Sequence, residues 1–328
     1  MNNTALYTLT VLIWGSTFFA IEFQLGTVAP EVSLFYRYAG ATLLLFAWSR
    51  FRGLTLNFRL RQHAWFALLG LLLFGINYIL VYRAQIYISS ALTAIAFSSL
   101  VWMNIVNARL FFGVRAGRGT LFGALLGLIG MFYLFAPQIR EVAFTDTVFF
   151  GSFLAVVSAL VASFGNIVSQ ATQRASLPVV QTNAWGMLYG SAFTGLFALV
   201  SGYQFNFEWS VSYVASLAYL SVFGSVIAFG AYLTLLGRIG ASKAGYAMVM
   251  FPVVALLLSI LFEGLEADVT TVLGTLFVLA GNAFVLYTRD TKVSEPLGRF
   301  ADDAPHCVEQ QAEHGEQCHD GLRVAQLE

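Results

Sequence analysis

Charge is what this sequence has least of. Only 10% of its 328 residues are Asp, Glu, Lys or Arg, against about a quarter in a soluble globular domain. A chain so poor in charge cannot clothe a water-facing surface, and a lipid surrounding removes the need. The 17 basic and 17 acidic residues cancel, which leaves no cationic surplus for a nucleic-acid partner. Cysteine is nearly absent: Cys307 and Cys318 both sit in the polar C-terminal stretch, so no disulfide framework staples the apolar part. His63 is the one histidine before that stretch, which argues against a histidine proton relay, an intramembrane Ser-His hydrolase or a His-ligated metal. No GxxxxGK[ST] motif occurs, so nothing points to direct nucleotide drive. The apolar stretch from Ala5 to Ile21 has neither a basic leader nor a small-residue cleavage site, and it reads as a retained first span.

What fills the chain instead is apolar: 58% hydrophobic and 16% aromatic residues, with 31 Phe and 29 Gly. Crossing the hydrocarbon core takes about 20 mostly apolar residues in a helix. Segments of that kind run near 4–23, 31–49, 63–82, 90–112, 117–136, 147–171, 179–201, 211–235, 242–262 and 269–288. In lipid every backbone group must be paired internally, so spans are helices or closed barrels. The polar–apolar alternation of barrel strands is missing here. The expectation is therefore an all-α integral membrane protein of ten transmembrane helices.

Basic residues orient it. Arg50, Arg52, Arg59, Arg61, Arg115, Arg118, Arg174, Arg238, Lys243, Arg289 and Lys292 fall on one side. Arg83 and Arg140 share the other with Glu141, Asp146, Glu208, Glu266 and Asp268. Both termini are expected to be cytoplasmic. A shift of 149–151 residues also superimposes Trp14-Gly15 on Phe164-Gly165, Gly40 on Gly190, Phe74-Gly75 on Phe223-Gly224, and Gly113, Gly123 and Gly130 on Gly264, Gly274 and Gly281. Five spans per half is an odd number, so two such halves lie inverted to one another, a transporter arrangement with the site at their interface. The halves are expected at residues 1–140 and 141–289, followed by a polar, disordered cytoplasmic tail at 290–328. His306-Cys307, His314 and Cys318-His319 in that tail match no structural zinc module, and no metal or other cofactor is assigned.

Ionisable groups inside a bilayer cost about 2.5–3.5 kcal/mol each on insertion scales. Glu22, late in span 1, and Arg37, two turns into span 2, come to similar depth across the short turn Gly26-Thr27-Val28-Ala29-Pro30. Their simplest reading is an ion pair that locks two helices, with a gate, substrate or proton site as the alternative. A second population is aromatic and amide at mid-membrane depth. Asn77, Tyr78 and Tyr82 lie on span 3, Ser98 and Trp102 on span 4, Trp14 and Phe18 on span 1, and Asn166, Trp185 and Tyr246 in the second half. Any one of them alone reads as packing or as an interfacial belt. As a set they describe a substrate-binding cavity for an apolar or aromatic solute with one polar end. Pro252 in span 9 removes a backbone hydrogen bond and reads as a hinge or as packing.

With these residues placed, the chain resembles the drug/metabolite transporter superfamily, in particular the EamA-type exporters with two five-helix repeats. The resemblance covers residues 4 to about 288. It rests on Trp14-Gly15-Ser16-Thr17-Phe18, on Arg37-Tyr38, and on Ala241-Ser242-Lys243-Ala244 leading to Pro252, Gly264, Gly274 and Gly281. The family pattern usually ends spans 4 and 9 in Gly-Glu. Here the first half has Gly113-Val114-Arg115, the second has Gly264-Leu265-Glu266, and Val101 stands where a span 4 proline is usual. The resemblance implies an alternating-access carrier in which spans 1–4 and 6–9 surround a central cavity braced by spans 5 and 10. Its aromatic content is most similar to the bacterial aromatic amino-acid exporters of the inner membrane. Three functions are weighed. Export of amino acids, preferring aromatic or bulky apolar ones, comes first, and efflux of drugs or other metabolites second. A membrane enzyme acting on lipid comes third, since no acid or nucleophile cluster supports it. Small-molecule cargo and membrane lipid are the expected partners.

Overall fold

A computed structural model describes residues 1–134, 146–251, 253, 254, 269–287, 291 and 292. All of these belong to one compact unit, Met1–Ser294. Pro252, Gly264, Glu266 and the polar tail with its cysteines lie outside the described residues.

Helix dominates, and it falls on the segments expected from apolar run length; of 242–262 only the part up to 254 is described. The helices are α1 (Asn3–Glu22), α2 (Pro30–Phe51), α3 (Leu60–Tyr87), α4 (Ser90–Phe97), α5 (Leu100–Phe112), α6 (Arg118–Leu134), α7 (Asp146–Arg174), α8 (Val179–Val200), α9 (Val211–Ile239), α10 (Ala241–Ala244) and α11 (Val269–Tyr287). A further helical run covers 247–251. Their starts carry ordinary signals. The Asn2 side chain accepts from the Ala5 N–H at 2.8 Å, Pro30 opens α2, and Ser89 and Ser210 cap α4 and α9. Gly113 and Gly240, both at positive φ, end α5 and α9, a conformation that costs glycine least. A two-residue antiparallel ladder pairs Val114–Arg115 (β1) with Thr291–Lys292 (β2).

By length and composition five stretches among the described residues are apolar enough to cross a membrane: Asn3–Glu22, Leu60–Tyr87, Leu92–Phe112, Asp146–Arg174 and Val211–Ile239. Arg118–Tyr133 and Val272–Val285 are apolar but shorter. The 22-residue helices α2 and α8 are more polar because they bury Glu31 and Arg37, and Gln181 and Asn183, against their neighbours. The apolar side chains that stay exposed, such as Leu43, Phe149, Phe153, Leu196 and Leu199, lie on outward faces, where lipid rather than water is the fitting solvent.

Besides the turn at Gly245-Tyr246 after α10, three interruptions among the described residues shape the bundle. Residues Gly70–Ile76 of α3 and Leu220–Ile227 of α9 are π-helical, a wider turn that recurs at functional sites. The third is the break at Ser98-Ser99 between α4 and α5, where each hydroxyl takes a carbonyl of the preceding turn (Ile95 O at 2.6 Å, Ala96 O at 2.7 Å).

Packing is by close backbone approach. The strongest helix pairings are α6 with α11 and α2 with α8, followed by α3 with α7 and α8, α1 with α9, and α5 with α7. Between α6 and α11 a Cβ added to Gly123 would stand 2.5 Å from the Gly281 carbonyl, and one added to Gly130 2.8 Å from that of Gly274. Without a hydrophobic drive between helices in lipid, small residues that admit backbone contact are the usual glue. Gly70 of α3 meets the backbone of Gly186 and Gly190 on α8 in the same way.

Candidate functional site

A partly open cavity lies among α1, α3, the α4–α5 break, α7, α9 and the 247–251 run. Trp14 is its hub. The indole meets Phe229 at 4.7 Å and 74°, Tyr232 at 4.9 Å, and Phe251 at 5.8 Å. Its Nε1 donates to the Gly224 carbonyl at 2.9 Å, within the π segment of α9. Phe18, one turn on, meets Phe97 and Phe251. Tyr78, Leu73, Val81, Leu100 and Met248 complete an apolar and aromatic wall. Offset and edge-to-face ring pairs of this kind are worth about 0.5–1.5 kcal/mol each beyond burial.

The polar lining is neutral and mostly satisfied. Asn77 donates to the Leu73 carbonyl at 3.2 Å and accepts from the Ser158 hydroxyl at 2.9 Å. Asn166 donates to the Tyr232 hydroxyl at 2.9 Å and to Asn104 Oδ1 at 3.3 Å, and its own Oδ1 has no partner. Asn104 in turn donates to the Ala241 carbonyl at 3.1 Å, and the Ala241 N–H reaches Gln170 Oε1 at 3.4 Å. This buried amide lattice stitches α5, α7 and α9 to α10 beside the cavity, toward the end of the bundle that carries Arg238 and Lys243.

Of the residues expected to bind substrate, Trp14, Asn77, Tyr78 and Asn166 come together on the cavity wall. The other five do not line it. Tyr82 stands behind the wall, where its hydroxyl accepts from Arg37 Nη1 at 3.4 Å. Ser98 turns its hydroxyl onto its own helix. Trp102 packs beside Val101, Ile105 and Val249. Trp185 Nε1 donates to the Leu56 carbonyl at 3.2 Å, inside a cluster with Phe46, His63 and Tyr189. The Tyr246 hydroxyl donates to the Gly123 carbonyl at 2.8 Å and so belongs to the α6–α11 brace. Tyr82 has given its hydroxyl to Arg37, and each of the other four has spent its polar atom on a carbonyl, or its ring on packing, away from the cavity. Thr17, Phe97, Phe229, Tyr232, Met248 and Phe251 line it unforeseen. Helices α2 and α8, expected around the cavity, contribute no lining residue and stand behind it.

The expected Glu22–Arg37 pair also needs correction. Glu22 is exposed at the end of α1, whereas Arg37 is 1% exposed. The Arg37 Nε donates to the Ser225 hydroxyl at 3.0 Å, and the guanidinium carbon lies 4.7 Å from the Tyr78 ring and 5.3 Å from the Tyr38 ring. Glu31 is the buried acid of α2, and it pairs with Arg83: Nη2 to Oε1 at 2.7 Å and Nε to Oε1 at 2.8 Å. Arg83 also donates to the Tyr203 hydroxyl.

The EamA-like transporter family model matches this chain twice, over residues 4–136 and 149–287. The chain belongs to the EamA-like transporter family. That makes it a multi-pass membrane transporter built of two EamA repeats. It is similar to the uncharacterized transporter YoaV of Bacillus subtilis (23% identity, 82% of this chain, 91% of the relative). It is also similar to the uncharacterized inner membrane transporter YedA of Escherichia coli K12 (28%, 75% and 78%). A solved crystal structure 17% identical to it shares the fold, with a TM-score of 0.71 over 86% of this chain and 96% of the other.

Proposed function

We propose that the protein exports amino acids, preferring aromatic or bulky apolar ones, by alternating access through the Trp14 cavity. The observation that carries this reading is the composition of the wall: seven aromatic residues, Trp14, Phe18, Tyr78, Phe97, Phe229, Tyr232 and Phe251, with the neutral polar groups of Thr17, Asn77 and Asn166 between them. Such a wall favours a cargo with a ring or a large apolar side chain and a polar end.

Alternating access rests on ten spans in two halves, 1–140 and 141–289, that lie inverted to one another, followed by the 290–328 tail. Exchange symmetry in the packing supports it. Under a shift of one half, α1 against α9 becomes α7 against α3, and α2 against α9 becomes α8 against α3; all four contacts exist. The pairs α2–α8 and α6–α11 map onto themselves. The π segments at Gly70–Ile76 and Leu220–Ile227 also fall at equivalent places. With arginine and lysine gathered at one end, both termini are cytoplasmic. Similarity to the inner membrane transporter YedA supports an inner-membrane location.

Proteoliposome flux of a labelled amino-acid panel, with and without a pH gradient, tests this reading. Preferential flux of Phe, Tyr, Trp or Leu over Gly and Thr is expected. Flux confined to non-amino-acid drugs would replace it with the metabolite-efflux reading. Reporters fused near Glu208 and after Glu295 test the topology, and both on one side would sink the inverted arrangement.

A further inference from the structure

We propose that the cavity selects organic monocarboxylates with an aromatic or apolar body, that Arg37 is the residue that reads the carboxylate, and that an α-ammonium group is dispensable. This deepens the cargo reading above and rests on it only for the cavity as the transport site.

Among the described residues Arg37 is a cation without a counter-ion. Arg37 is 1% exposed in the middle of a membrane bundle. Its hydrogen-bond partners among the described residues are neutral, Ser225 at 3.0 Å and Tyr82 at 3.4 Å, and the faces of Tyr78 and Tyr38 lie against the guanidinium. Among the described residues it has no carboxylate partner. The nearest candidate in sequence, Glu31, is already bonded to Arg83. Hydroxyl dipoles and ring faces offset part of the desolvation of a buried guanidinium. A full positive charge left inside a membrane protein is a mark of a cargo or ion pathway.

Position links that charge to the cavity. Tyr78, whose ring faces the guanidinium, is a wall residue. So is Thr17. A Cβ built on Gly224 would stand 3.0 Å from Thr17 Cγ2 and 3.3 Å from Arg37 Nη2, so both side chains converge on one glycine of the α9 π segment. The guanidinium therefore lies one layer behind the wall formed by Thr17 and Tyr78. The wall itself carries no charged side chain, and nothing on it matches an ammonium with a carboxylate. A negative cargo gains from the field of Arg37 and a positive one loses. Across one layer of side chains at an effective dielectric near 20, unit charges couple strongly enough for at least about a tenfold difference in affinity.

A charge series on one ring tests it. Binding of phenylacetate, phenylacetamide, phenethylamine and phenylalanine to the full-length protein in detergent is measured at pH 7 by ligand-induced thermal stabilisation. Phenylacetate and phenylalanine are expected within about threefold of each other, with the amide and the amine at least about tenfold weaker. Arg37→Lys should keep the order and Arg37→Gln should collapse phenylacetate onto the amide. If Arg37→Gln does not fold, the wild-type series still discriminates. Phenethylamine binding as tightly as phenylacetate, a folded Arg37→Gln that keeps the ranking, or no binding of any of the four overturns the proposal. Binding of phenylacetate but not phenylalanine would uphold it and end the amino-acid reading. Phenylalanine bound and phenylacetate ignored would do the reverse.

Discussion

Removing Arg83 should cost more than removing any other single basic side chain on the Glu208 side of the bundle, and the structure says by how much. Glu31 is fully buried at the start of α2. One of its carboxylate oxygens receives both Arg83 nitrogens, at 2.7 and 2.8 Å, and the other oxygen has no partner. Arg83→Gln therefore strands a buried negative charge, a loss of about 3 kcal/mol. Glu31→Gln costs less, about 1–2 kcal/mol, because the amide oxygen still accepts and Arg83, with its side chain 32% exposed, can turn toward water. The double variant should recover about 1–2 kcal/mol of the summed loss. Denaturation in mixed micelles of increasing SDS content, followed by tryptophan fluorescence, gives the three differences. The matching cycle on Glu22 and Arg37 should show coupling near zero, since one is exposed and the other bonds to Ser225 and Tyr82. Additive losses at Glu31 and Arg83, or a coupling above about 1 kcal/mol at Glu22 and Arg37, would refute the assignment.

Gly123→Ala puts a methyl against the Gly281 carbonyl at 2.5 Å, and backbone cannot swing away, so about 1–3 kcal/mol of stability should go; an unchanged SDS midpoint would mean that α6 and α11 are looser than described. Phe229→Ala, which opens the wall beside Trp14, should lower flux of Phe relative to Thr by roughly three- to tenfold, about 0.7–1.4 kcal/mol, whereas Trp102→Ala should lower all substrates alike through folded yield. Equal losses from both, in flux normalised to folded protein, would take Phe229 out of the site. Trp14→Phe keeps the ring but drops the bond to the Gly224 carbonyl, a stability loss of about 1 kcal/mol that the same SDS titration reads.

Helix positions were legible because bilayer thickness fixes run length: the apolar segments 4–23 and 179–201 became Asn3–Glu22 and Val179–Val200. The glycine matches between halves had a physical basis too, since Gly123, Gly130, Gly274 and Gly281 sit at one helix contact. The cavity was half legible. Trp14, Asn77, Tyr78 and Asn166 face it, but Trp185 and Tyr246, equally amphipathic, bond backbone carbonyls elsewhere. Depth in a span can be counted from sequence; azimuth cannot, once a helix is interrupted. A π turn holds more residues than an α turn, so each one rotates every later side chain away from its ideal-helix position. The π segments precede Asn77 and Tyr78 in α3, and Phe229 and Tyr232 in α9, and the second pair was the one missed. Glu31 does carry a signal in the sequence: it follows the Pro30 that opens α2, on the side where Arg83 is one of few basic residues.

The two π segments also explain why so apolar a cavity has polar side chains around it. Each lies mid-bundle in the third helix of its repeat, and each offers a carbonyl to a side chain on the wall: Leu73 to Asn77 Nδ2 in the first, Gly224 to Trp14 Nε1 in the second. Carbonyls facing a cavity in lipid must find donors. Asn77 does this within its own helix. Trp14 does it across helices, so α1 and α9 are tied at the point where Thr17 and Arg37 converge on Gly224. Any rearrangement that separates α1 from α9 must break the indole bond, uncover the Gly224 carbonyl and change the distance of the Arg37 charge from the wall together. The α1–α9 contact and the placement of the Arg37 charge thus meet at one residue, Gly224, whose missing side chain permits the approach.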